Sequence, residues 1–188
     1  MKLVSYRASV EAGARLGVID GDLVVDVEAL GASHGEDLPD SMLDLIDMGR
    51  PGLEALKDCL DQAQGRHAPG TATALANVKL LAPIPRPRKN IFGIGLNYVE
   101  HVAESAASLD TSKDLPKQPV VFSKPPTTVI GPGEGIEHNS RITRQLDWEV
   151  ELAVIIGTTA RRIRREDALK HVFGYSVMID ISARDNRR

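Results

Sequence analysis

Glu149 and Glu151, two residues apart, and Asp180 further along are the side chains best suited to chemistry in this sequence. The run Asp147-Trp148-Glu149-Val150-Glu151-Leu152 alternates acid with apolar residue. That is the period of a strand, so it sets the three acids on one face. The chain then turns wholly apolar from Ala153 to Ile156, as a strand buried on both faces does. A solvated strand face is the plain reading of alternating acids. The buried run behind them argues for more, because carboxylates held near a core need a partner, and a hard cation is the usual one. Asp180 closes a second apolar run, 172–181, reached through a predicted helix. If the two strands are neighbours, Glu149, Glu151 and Asp180 converge. Without a cation they would repel one another, and one or more would hold its proton to higher pH. An all-oxygen set selects magnesium, manganese or calcium over zinc.

Other candidates are weighed against structural roles. His101 and Glu104, three apart on a predicted helix, share a face and form either a solvated pair or a proton-handling pair. Cys59 is the only cysteine, which excludes an internal disulfide and a cysteine-rich zinc site. It lies in a predicted helix and reads as packing. Arg161-Arg162-Ile163-Arg164-Arg165 resembles a nucleic-acid patch, but Glu166 and Asp167 follow at once and the net charge is -3. Nucleic acid and anionic membrane are therefore not expected partners. The glycine-rich stretch at 131–135 lacks the pattern of a phosphate loop.

The 188 residues, 42% hydrophobic and 26% charged, describe an ordinary globular chain of one domain with an appendage. No apolar stretch is long enough for a membrane span, and the first residues lack a signal-peptide apolar region. The expected location is the cytoplasm. Residues 3–6 predict a strand, and Asp20-Gly21-Asp22 between apolar runs predicts a hairpin. Helices are expected over 42–48, capped by Asp40 or Ser41, and after Pro51, with a loop over 62–76. Alternate prolines at 83, 85 and 87 mark a hinge. The division is a small N-terminal domain, 1–81, and a second domain, 82–188. Further strands are expected at 91–95 and 120–124. Asn97 caps a helix from Tyr98, and 166–171 forms another helix.

Four blocks then become recognisable in order: Gly93-Ile94-Gly95-Leu96-Asn97-Tyr98-Val99-Glu100-His101; Val121-Phe122-Ser123-Lys124-Pro125; Leu146-Asp147-Trp148-Glu149-Val150-Glu151-Leu152; and Phe173-Gly174-Tyr175-Ser176-Val177-Met178-Ile179-Asp180-Ile181-Ser182-Ala183-Arg184-Asp185. Together they resemble the fumarylacetoacetate hydrolase family. The resemblance implies an α+β fold, predominantly β, with a mixed β-roll behind a variable N-terminal domain, and a homodimer. It implies Glu149, Glu151 and Asp180 as ligands to magnesium or manganese, with Asp147 a supporting strand-end residue. His101 and Glu104 match a lid-helix pair that activates water. Arg184 and Lys124 match residues that bind the substrate, although Lys124 fits a structural ion pair as well. The implied reaction is hydrolysis of a carbon–carbon bond in an acylpyruvate-like 2-oxo acid. Oxaloacetate decarboxylation, 2-hydroxymuconate-type isomerisation and ureidoglycolate cleavage share the same triad.

Two departures bear on this. Arg187 stands where the family usually has glutamine, replacing a donor-and-acceptor with a donor. Asn97 stands near the place of a further acidic ligand in vertebrate fumarylacetoacetase, which favours the three-carboxylate members. Relatives also continue beyond the position matching Arg188. The expectation is a chain truncated at its C-terminus, with apolar faces around Ala153 to Ile156 uncovered, low stability and weak or absent activity. A non-catalytic remnant that keeps the metal-site half is the alternative.

Overall fold

The Asp-Gly turn closes as its residues dictate. Asp20 ends β2 (Arg15–Asp20), Leu23 opens β3 (Leu23–Asp26), and the two are paired across a two-residue loop. Gly21 takes φ 57°, the left-handed conformation such a loop requires. In this computed structural model, which describes residues 1–98 and 117–186, that hairpin is the centre of a five-stranded sheet of order β4-β3-β2-β1-β5. The remaining members are β1 (Leu3–Arg7), between β2 and β5, and the two edge strands β4 (Ala72–Ala74) and β5 (Lys79–Leu80), all antiparallel to their neighbours.

The apolar run Leu23 to Val27 is strand only as far as Asp26. The Asp26 carboxylate accepts the Ala29 backbone N–H at 2.9 Å and so caps α1 (Val27–His34). The same carboxylate accepts the Tyr6 hydroxyl at 2.7 Å and Arg15 through Nε at 2.5 Å and Nη2 at 2.8 Å. Burial would push Asp26 up, but the hydrogen bonds from Arg15, Ala29 and Tyr6 outweigh it and hold the carboxyl below its ordinary range. Tyr6 is pushed up to about 12 by burial and by its bond to Asp26.

Ser41 caps α2 (Met42–Ala63), accepting the Asp44 N–H at 3.2 Å. Gly49, at φ 63° and ψ -140°, breaks the helical path, which resumes through Pro51. The two expected helices are thus the two segments of α2, and the second runs on to Ala63. One face of α2 lays Leu45, Leu56 and Cys59, each fully buried, against Leu16, Val25 and Leu30 of the sheet and α1. Burial pushes the Cys59 thiol up, with help from the charges of Glu36 and Asp58, so it packs as a small apolar group.

Two compact units emerge, one of Met1–Ile84 with Gly131–Arg188, the other Pro85–Ile130. The first break falls inside the proline run. Ile155 and Phe173 pack against the N-terminal core. The second unit holds the antiparallel pair β6 (Ile91–Gly95) and β7 (Val120–Lys124). Gly93 lies under the Phe122 ring, where a Cβ would come within 2.2 Å of it.

In the first unit, β8 (Leu146–Ile156) and β9 (Val172–Ala183) form a long antiparallel ribbon. The helix expected over 166–171 is a 3-10 turn, Arg165–His171, in which Asp167 accepts Arg164 at 3.0 Å and Lys170 at 2.7 Å. Among the described residues the architecture is α+β, mostly strand with three α-helical segments (α1 and the two parts of α2), as the sequence leads one to expect.

Candidate active site

Residues opposite one another in an antiparallel pair share a face. In the β8–β9 register Glu149 lies opposite Asp180, Asp147 opposite Ser182 and Glu151 opposite Met178. The two strands therefore put Asp147, Glu149, Glu151, Asp180 and Ser182 on one face. That face is partly covered, and Asp180 is only 6% exposed.

The other face carries Trp148, Val150, Leu152 and Val154 of β8, with Tyr175, Val177 and Ile179 of β9, and it is exposed. Trp148 is 66% exposed and Val177 73%. Val154 and Ile156 face outward, while Ala153 and Ile155 face the covered side, so the run is not buried on both sides, and an apolar face around Ala153 to Ile156 is uncovered as expected. The uniform apolar run gave no sign of a difference between the two faces.

Strand adjacency brings Glu149, Asp180 and Glu151 to one patch. It does not gather their side chains about one point: among the described residues, no three His, Cys, Asp or Glu side chains enclose a cation site. Glu149 instead points its Oε1 toward two donors. Ser182 donates to it at 3.0 Å, and Arg184 Nη2 lies 3.1 Å away. Arg184 Nε also donates to Asp147 Oδ2 at 2.8 Å. Burial disfavours the guanidinium charge, but the bond to Asp147 and the charge of Glu149 prevail and raise its pKa. The donor set is nonetheless the right chemistry for a hard cation: four carboxylates on one face, one of them buried.

Arg184 opens a short 3-10 turn, Arg184–Asn186, at the end of β9. A clamp from the loop before β8 holds that turn. The Arg184 N–H donates to the Gln145 carbonyl at 2.9 Å. Asp185 accepts the Thr143 hydroxyl and the Arg144 N–H, and Asn186 Nδ2 donates to the Ile142 carbonyl at 3.1 Å. The Arg144 N–H and the Thr143 hydroxyl hold Asp185 below the usual carboxylate range. Sequence reading did not single out Ser182 or Thr143. Ser182 was reachable, since it lies two residues beyond Asp180 and so on the same strand face. Thr143 had no such signal, as its partner is remote in sequence.

Lys124 ends β7 in the other compact unit, opposite Ile91. His101, Glu104 and Arg187 lie outside the described residues.

This combination, an α+β chain with a carboxylate patch on a long antiparallel ribbon, has clear relatives. The family model for the fumarylacetoacetate (FAA) hydrolase C-terminal region matches residues 90–188. The chain belongs to the fumarylacetoacetate hydrolase family. It is 36% identical over 187 residues to the mitochondrial oxaloacetate tautomerase fahd2 of Xenopus laevis, covering 98% of this chain and 53% of that protein. It is 37% identical over 172 residues to the oxaloacetate tautomerase YisK of Bacillus subtilis, covering 89% of this chain and 56% of that protein. Among solved structures, the maleylpyruvate hydrolase of Sphingobium sp. SYK-6, in complex with manganese(II) and pyruvate, matches with a TM-score of 0.70 and 31% identity. That match covers 100% of this chain and 60% of the hydrolase. The chain thus spans about half the length of the curated relatives it matches.

Proposed function

We propose that this chain carries the cation-binding half of an enzyme acting on a small 2-oxo acid, with residues 82–188 as its catalytic domain. The observation that carries the reading is the register that sets Glu149 opposite Asp180, with Glu151 next on the same covered face and Arg184 beside them. Glu149, Glu151 and Asp180 would hold magnesium or manganese. When bound, such an ion supplies Lewis-acid polarisation of a 2-oxo group. Support for a divalent ion comes also from the manganese in the Sphingobium hydrolase.

The residues divide the remaining work. Arg184, its guanidinium aligned by Asp147, offers two parallel N–H donors to a substrate carboxylate. Lys124 is assigned to the substrate as a point charge. For hydrolysis, a ring nitrogen of His101 would draw a proton from water, oriented by Glu104, as that water attacks the distal carbonyl. The reading carried from the sequence is cleavage of a carbon–carbon bond in an acylpyruvate-like acid. A second reading, keto–enol interconversion of oxaloacetate, is favoured by the names of the two tautomerase relatives. It asks less of the site, because a proton is moved and no water is added.

The assembly is assigned as a homodimer and the location as the cytoplasm. Among the described residues, no helix is long and apolar enough to cross a membrane. A turnover screen with magnesium and manganese over acetylpyruvate, fumarylpyruvate, oxaloacetate and ureidoglycolate tests the function. Turnover of an acylpyruvate supports hydrolysis, and enol loss from oxaloacetate without cleavage supports the second reading. Ureidoglycolate as the sole substrate would contradict both.

A further inference from the structure

The Glu149 carboxylate proposed as a ligand is already engaged by a cation of the chain itself. Its Oε1 accepts Ser182 Oγ at 3.0 Å, and Arg184 Nη2 lies 3.1 Å from it as an ion pair. One oxygen of the Glu149 carboxylate is thus already shared by a hydroxyl and a guanidinium, whose positive charge opposes a second cation beside it. Arg184 has a second anchor, since Nε lies 2.8 Å from Asp147 Oδ2. The side chains of Arg184 and Glu149 are 28% and 21% exposed, so water weakens their attraction only in part. Asp147, at 46%, is the more hydrated of the two acids.

We infer that Arg184 is an internal counter-cation that competes with the divalent ion for Glu149, and that Asp147 holds it when it lets go. The inference rests on the metal reading proposed above. It adds a mode of regulation to that site: the ion and the Arg184–Glu149 contact oppose one another, and Asp147 sets the balance. A guanidinium displaced from Glu149 would stay on Asp147, available to the carboxylate of an incoming acid. Coupling is reciprocal, so a group that favours the Asp147 contact favours the ion, and one that strengthens the Glu149 contact opposes it.

The test is manganese binding to the 188-residue chain, read calorimetrically and by the resonance of free Mn(II), with circular dichroism confirming each variant's fold. Arg184→Gln removes the competitor and should tighten binding by about fivefold or more, the lower range of measured couplings. Asp147→Asn removes the alternative anchor, throws Arg184 onto Glu149, and should weaken binding by a similar factor. Ser182→Ala removes a neutral donor from the same oxygen and should change binding much less than Arg184→Gln. In the unmutated chain, the Arg184 Nε–H signal should shift on saturation with magnesium, which covers the case of a variant that fails to fold. Glu149→Gln separates the two claims. If it abolishes binding while Arg184→Gln leaves binding unchanged or weaker, the competition is wrong and the metal reading stands. If Glu149→Gln leaves binding intact, the metal reading fails and takes the competition with it. An unmoved Arg184 signal at saturation also overturns the competition.

Discussion

Asp26→Asn tests how the platform under the ribbon is held. Four donors converge on this carboxylate: Arg15 Nε and Nη2, the Tyr6 hydroxyl and the Ala29 N–H. Breaking a buried ion pair by removing one partner costs about 3–5 kcal/mol. Here the cost is lower for two reasons. The Arg15 side chain is 35% exposed and keeps Glu28 at 2.7 Å. Asparagine also retains one acceptor oxygen, enough for the cap or the tyrosine. The expected loss is about 2–3 kcal/mol, or about 5–10 °C in Tm for a chain of this size. Urea unfolding followed by far-ultraviolet circular dichroism measures it. The folded Asp26 carboxyl lies below its ordinary value. Its contribution is therefore full above the unfolded value of about 3.9 and lost as pH falls through the folded one. The gap between parent and variant should close in acid. A loss under about 0.5 kcal/mol at neutral pH, the noise of an ordinary surface change, would refute the reasoning. So would a gap that does not depend on pH.

Three further outcomes follow from the same structure. Tyr6, pushed up to about 12, contributes stability fully below about 10 and loses it as pH rises through the folded value; Tyr6→Phe should flatten that alkaline fall in stability. Thr143→Val removes the hydroxyl that Asp185 accepts, and the amides of Arg144 and Arg184 should exchange hydrogen about tenfold faster, the equivalent of one ordinary hydrogen bond. Trp148 is the only tryptophan and is 66% exposed on the apolar face. Its emission should be that of a hydrated indole in dilute samples and move to the blue with rising concentration if a second copy covers the face; no change across the range where mass measurements show dimer would place the interface elsewhere.

Much of this was legible because it rests on local rules. Period-two alternation placed Glu149 and Glu151 on one face, Asp20-Gly21 placed the hairpin, and Ser41 placed the start of α2. The strand that carries Asp180 was visible as an apolar run, although β9 runs on past it to Ala183. What was not legible depended on remote partners or on asymmetry the letters do not carry. β4 lies in the stretch expected as loop, since Ala72–Ala74 becomes a strand only by pairing with β3. The helix expected at 166–171 tightened to a 3-10 turn, in which Asp167 is tied to Arg164 and Lys170. The apolar run 153–156 looked buried on both sides, whereas β8 covers one face and exposes the other. In the site, residue types pointed to carboxylates and a cation, but the pairing of Arg184 with Asp147 and Glu149 needed coordinates.

Manganese titration of the chain and of Glu149→Gln, Glu151→Gln and Asp180→Asn tests the central claim most directly. The parent should show a single site that each substitution abolishes or weakens at least about tenfold, with the fold retained. Binding of the same stoichiometry and affinity in all three variants would contradict it.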